Sequence, residues 1–182
     1  LHILADRYAP VRLTTWPPPD SEAGITLGDA VLLIAGSRIN AALDITIGSG
    51  TMLAANVTVT DSDWHGLYDR VGPPTAKPVR IGENVWLGDG AFVGKGVSIG
   101  DNSVIGARAV VTRDIPQGVV AAGNPARIIR DLEPDAVYRT RSDLFEDPHA
   151  LDRYLDGLQA EKLKGNSTID WLRSRFFPNR ID

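Results

Sequence analysis

Few side chains in this chain of 182 residues are candidates for chemistry, because it has no cysteine and only three histidines. The lack of thiols removes a disulfide framework, cysteine-ligated zinc and a thiolate nucleophile. One histidine, His65, lies in the polar stretch Thr60-Asp61-Ser62-Asp63-Trp64-His65-Gly66-Leu67-Tyr68-Asp69-Arg70. Imidazole titrates near ~6.5, so it is the side chain best suited to accept a proton at neutral pH. As a general base it supplies roughly two to four powers of ten in rate. Such a base needs a carboxylate or carbonyl on its other ring nitrogen to fix the tautomer, and Asp44, Asp61, Asp63 and Asp69 are the acidic candidates. The plain alternative for His65 is a surface histidine bonded to a loop carbonyl. Tyr68 and Arg70 are either acceptor contacts or a solvated loop tip.

The elements that hold this stretch follow from composition and pattern. With 19 basic against 23 acidic residues the net charge is -4, which excludes nonspecific nucleic-acid binding, so a bound polyanion must meet a local arginine cluster. A 43% hydrophobic fraction suits one domain with an appendage and a real core. No stretch reaches the roughly 18 to 20 apolar residues of a membrane span, and the first residues lack a basic-then-apolar signal pattern, so a soluble, cytoplasmic protein without a transmembrane segment is expected.

From Ile81 the chain repeats in sixes: IGENVW, LGDGAF, VGKGVS, IGDNSV, IGARAV, VTRDIP. First positions hold Ile81, Leu87, Val93, Ile99, Ile105 and Val111, second positions hold Gly82, Gly88, Gly94, Gly100 and Gly106, and fifth positions are mostly small or β-branched. A noisier set at Leu27, Leu33, Ile39 and Ile45 jumps two residues in phase to Ile47, Leu53 and Val59. This period matches neither a helix nor a long strand, but it matches short flat sides joined by tight corners. The aliphatic then points inward, the second-position glycine takes the corner conformation, and the small fifth residue leaves room. Three sides close a triangular coil in which Ile81 stacks under Ile99, Leu87 under Ile105 and Val93 under Val111.

The register breaks between Val59 and Ile81, so about 60–80 must leave the coil as an extruded loop, a place where function concentrates. Residues 1–24, with Trp16-Pro17-Pro18-Pro19, read as an irregular lead-in, and 25–132 as the coil domain. Residues 133–182 read as a helical extension, with one helix carrying Leu151, Tyr154, Leu155 and Leu158 and a second carrying Trp171, Leu172, Arg175 and Phe176 behind a cap at Ser167.

The hexads resemble those of the hexapeptide-repeat acyltransferases. Within that superfamily, about 40–132 resembles the galactoside, maltose and xenobiotic acetyltransferases through Ile81-Gly82-Glu83-Asn84-Val85-Trp86-Leu87-Gly88, Asp114-Ile115-Pro116 and Ala121-Ala122-Gly123-Asn124-Pro125-Ala126-Arg127-Ile128-Ile129-Arg130. The resemblance implies an all-β solenoid, the left-handed parallel β-helix, although parallel crossovers are ordinarily right-handed. It also implies a homotrimer with sites between subunits, acetyl-CoA as co-substrate, and no metal.

By the same resemblance His65 is the catalytic base, and Asp44 and Asn40 line the acceptor pocket. Trp86, Asp89, Ala107, Thr112, Arg113, Arg127 and Arg130 hold the donor, the three arginines facing its phosphates. At Asp89 only the main-chain N–H carries over, as an oxyanion donor, because the side chain departs from the small hydroxyl residue common there. The function so implied is transfer of acetyl from acetyl-CoA to a hydroxyl of a sugar or glycan, by direct attack. N-acetylation of an amino sugar and a noncatalytic β-helix binding module are the alternatives. Zinc chemistry of the carbonic anhydrase kind is disfavoured, because His2 and His149 lie outside the repeats.

Overall fold

A computed structural model describes residues 1–18, 20–72, 75–147, 149–164, 167 and 169, with 162 and 163 described by main chain alone. The chain divides into two units, Leu1–Ser142 and Asp143–Asp182. In the first unit short strands follow one another: β1 (His2–Leu4), β2 (Arg12–Thr15), β3 (Gly24–Leu27), β4 (Leu32–Ile34), β5 (Arg38–Ala41), β6 (Asp44–Ile47), β7 (Met52–Leu53) and β8 (Thr58–Thr60). After the excursion come β9 (Val79–Ile81), β10 (Trp86–Leu87), β11 (Phe92–Val93), β12 (Ser98–Ile99), β13 (Val104–Ile105), β14 (Val110–Val111), β15 (Val119–Ala122) and β16 (Arg127–Asp131).

Through β14 the chain visits three sheets in rotation, so each strand up to β11 bonds the strand three places on. The first sheet runs β1-β4-β7-β10-β13-β15-β16, the second β2-β5-β8-β11-β14 and the third β3-β6-β9-β12. All pairs are parallel except β15 with β16. Ile81 pairs with Ile99, Leu87 with Ile105 and Val93 with Val111, the stacking that the six-residue period predicts. Leu33, Leu53, Leu87 and Ile105 form one such column, each fully buried, and each contributes on the order of 1.5 to 3 kcal/mol.

The corners differ from expectation. The left-handed backbone falls on the fourth position of the hexad, at Asn84 (φ 51°), Gly90 (65°), Gly96 (70°), Asn102 (58°) and Arg108 (58°). The second-position glycines are needed for a different reason. A Cβ on Gly88 would lie 2.6 Å from the main-chain nitrogen of Ala107 in the next coil, and Gly82, Gly100 and Gly106 are equally crowded because successive coils touch there, whereas at Gly94 a Cβ would meet only ordinary contacts at 3.5 Å.

The phase jump also has a physical cause. Ile45 and Ile47 both point inward from β6, pairing with Val79 and Ile81 on one side and Ile25 and Leu27 on the other. The extra residues sit at the corner Ala42-Leu43, whose amides are held by a buried carboxylate described below. The lead-in read as irregular contains β1 and β2, which pair in parallel with β4 and β5 and lengthen the coil. Their bonds are main-chain bonds, which hydrophobic spacing does not register.

Beyond β16 the chain returns toward β1, and Arg141 Nη2 lies 2.9 Å from His2 Nδ1. Burial, and then the Arg141 charge, lower the His2 pKa. In the second unit α1 (Ala150–Leu163) carries Leu151, Tyr154, Leu155 and Leu158, following the expected first helix. Its start is organised by Asp147, which accepts the His149 N–H at 2.7 Å and pairs with Arg153. The second expected helix, at Trp171 to Phe176, lies outside the described residues. Among the described residues no helix is long and apolar enough to cross a membrane.

Candidate active site

The excursion between β8 and β9 begins at a buried acid. Asp61 is fully buried, and its carboxylate accepts the main-chain N–H groups of Ala42 (2.7 Å), Leu43 (2.8 Å) and Asp44 (2.8 Å). A carboxylate offers the lone pairs that three converging amides require, and a buried charge is tolerated only when so satisfied. The Asp61 carbonyl accepts the Lys77 N–H at 2.9 Å, and Ser62 bridges Ala76 in antiparallel sense, so the excursion leaves through a narrow two-limbed neck. Lys95, on the next coil, donates to Asp63 on the outgoing limb (2.5 Å) and to Thr75 Oγ on the returning one (2.7 Å).

Past the neck the chain turns sharply. The Trp64 N–H donates to Ser62 Oγ at 3.0 Å, and Trp64 itself adopts φ 65°, a conformation costing a residue with a Cβ about 1–2 kcal/mol. His65 follows, exposed, with Nδ1 at 3.1 Å from the Arg70 carbonyl oxygen. A carbonyl only accepts, so Nδ1 carries the proton and Nε2 is the basic nitrogen. None of the four acidic candidates holds the ring. Asp61 serves the corner amides, Asp63 pairs with Lys95, Asp44 pairs with Arg80, and Asp69 accepts the N–H groups of Val71 and Gly72.

Beneath the neck lies a cavity of about 560 Å³. Its floor is the outer face of the second sheet, with Asn40, Thr58, Phe92 and Thr112, and its wall includes Asp63, Trp64 and Lys95. Of the expected acceptor residues, Asn40 lines this space, whereas Asp44 stands on β6 in the third sheet, paired with Arg80. His65 is the residue after the Trp64 of the wall and does not itself line the cavity.

The expected donor residues fall along one edge and around the last coil. Trp86 is half exposed on the first sheet, in register with Val104, Val120 and Arg130. Asp89 and Ala107 occupy successive corners between the first and second sheets, and the Arg108 N–H donates to the Asp89 carbonyl at 2.7 Å. Thr112 and Arg113 follow β14, and the bond from the Ala126 N–H to the Val110 carbonyl (2.8 Å) brings the chain before Arg127 alongside that strand. Arg113, Arg127 and Arg130 are all exposed.

Sequence reasoning missed Lys95, Thr58 and Phe92. Each sits at an ordinary hexad position, and only the folded-over neck gives it a role.

Comparison with known proteins places this chain in a family. Residues 78–113 match the model for bacterial transferase hexapeptide (six repeats). The galactoside O-acetyltransferase of Escherichia coli (strain K12) is 48% identical over 90 residues, 48% of this chain and 44% of that protein. A maltose O-acetyltransferase from Clostridium difficile 630 superposes with TM-score 0.58 at 34% identity, over 68% of this chain and 67% of that one. A galactoside acetyltransferase solved in complex with coenzyme A gives TM-score 0.60 at 34% identity, over 72% and 65%. The chain belongs to the hexapeptide-repeat transferase family. It spans less than half the length of the curated relatives it matches.

Proposed function

We propose that this chain is an acetyl-CoA-dependent O-acetyltransferase whose acceptor is a hydroxyl of a sugar or glycan unit. The observation that carries the reading is the bond from His65 Nδ1 to the Arg70 carbonyl, which leaves Nε2 as a base in a loop set beside an aromatic-walled cavity that carries hydroxyl and amide groups. Nε2 takes the proton of the acceptor hydroxyl as its oxygen attacks the acetyl carbonyl. The tetrahedral oxyanion is held by main-chain N–H groups, that of Asp89 being the candidate, and on collapse the carbon–sulfur bond breaks and the thiolate recovers the proton from His65. The hydroxyl and amide groups of Asn40, Thr58, Thr60 and Thr112 with the rings of Trp64 and Phe92 suit a polyhydroxylated acceptor. The relative solved with coenzyme A supports the donor.

In the same reading the coil is a left-handed parallel β-helix and the working form a trimer. The half-exposed Trp86 on a regular outer face supports a subunit contact, and the exposure of Arg113, Arg127 and Arg130 is compatible with their meeting the donor's phosphates.

The test is thiol release from acetyl-CoA across matched hydroxyl and amino sugars, with the product challenged by hydroxylamine. An ester that hydroxylamine cleaves is the expected product. A resistant amide makes this an N-acetyltransferase, and no thiol release with any acceptor makes it a binding module. Solution mass is expected at three copies, and a stable monomer at micromolar concentration contradicts the shared site.

A further inference from the structure

The floor of the cavity continues beyond its wall toward the first strands. On the outer face of the second sheet Arg12, Arg38, Thr58 and Phe92 stand in one rung of register, and Thr14, Asn40 and Thr60 form the next. Thr58, Phe92, Asn40 and Thr60 belong to the cavity. Arg38 Nη2 donates weakly to Thr58 Oγ at 3.4 Å, so the guanidinium lies at the cavity's margin. Thr14 Oγ donates to Asn40 Oδ1 at 2.7 Å, which leaves the Asn40 amide nitrogen as the donor available to a ligand.

Arg12 and Arg38 are direct cross-strand neighbours, about 4.8 Å apart in main chain. Like charges so placed repel, and a net-acidic chain has carboxylates to spare for neutralising them. Among the described residues, however, the ion pairs formed lie elsewhere: Arg80 with Asp44, Lys95 with Asp63, Arg153 with Asp147 and Lys164 with Glu161. Both guanidinium groups are exposed on the face that the cavity opens onto. Lys95, the cation inside the cavity, is already committed to Asp63 and Thr75.

We propose that Arg38 and Arg12 form a subsite for an anionic substituent of the acceptor, so that the sugar presents its hydroxyl toward the His65 loop and a carboxylate or phosphate toward this rung. A guanidinium fork matches either group bidentately. The inference rests on the cavity being the acceptor site of the proposed acetyl transfer.

The experiment uses the full chain with saturating acetyl-CoA and matched acceptors: glucose, glucuronic acid, glucose 6-phosphate and N-acetylneuraminic acid. Thiol release is measured at low and high salt. At least one charged acceptor is expected to exceed glucose in kcat/KM by about tenfold, and high salt is expected to erode that advantage. Arg38→Ala, and Arg12→Ala with it, should lower the charged-to-neutral ratio of kcat/KM by about tenfold or more, with Arg38→Lys intermediate. Preference between the carboxylate and phosphate acceptors identifies the anion. Glucose used as well as its charged counterparts, or a ratio unmoved by either substitution, overturns the subsite while leaving acetyl transfer standing. No thiol release with any acceptor removes the transfer reading and the subsite together.

Discussion

Lys95 Nζ lies 2.5 Å from the Asp63 carboxylate while also donating to Thr75 Oγ, so one side chain of the next coil clasps both limbs of the excursion that bears His65. Asp63 is largely exposed and the pair is partly solvated, so its direct worth is about 0–1 kcal/mol. Its importance lies in position. Lys95→Met should change unfolding free energy by less than about 1 kcal/mol. It should lower kcat roughly tenfold by loosening the base, with Lys95→Arg largely restoring it. Steady-state kinetics alongside urea melts check this, and a variant equally active and equally stable shows the clasp to be idle.

Asp61 should behave in the opposite way. In Asp61→Asn one oxygen that accepts a corner amide becomes an NH2 facing N–H groups, inside a site with no access for water to compensate. The expected loss is about 1–3 kcal/mol. It would appear as a lower urea midpoint at unchanged slope. A midpoint within error of the parent protein means that the three amides find other partners.

Gly88 and Gly90 stand two residues apart in one hexad and are glycines for different reasons. Gly88→Ala drives a Cβ to 2.6 Å from the Ala107 nitrogen and should cost about 1–3 kcal/mol. At Gly90 (φ 65°) a Cβ meets only the flexible Arg108 side chain, and Asn accepts that backbone, so Gly90→Asn should cost under about 1 kcal/mol. The order of the two midpoints is the measurement, and the reverse order refutes the contact argument.

The inward columns were legible in the sequence because burial and period coincide at Ile81, Leu87 and Val93 and their partners one coil on. The corner assignment was not, since a glycine required by close approach and one only favoured by a positive φ look alike on paper. β1 and β2 escaped notice because edge strands such as His2–Leu4 are held by main-chain bonds and show no apolar alternation. At the site, His65 stood out as a rare titratable group in a long excursion. Its partner, the Arg70 carbonyl, carries no residue signature, and the pairing of Asp61 with residues 42–44 is a contact between coils that local pattern does not encode.

The central claim is that the His65 imidazole, held through Nδ1, removes the acceptor proton. The direct measurement is the rate of thiol release from acetyl-CoA by the parent chain and by His65→Ala, each at saturating acceptor. The account predicts a fall in kcat of about 10²- to 10⁴-fold with the KM for acetyl-CoA nearly unchanged. A loss of only a few-fold, with coenzyme binding intact, would contradict it.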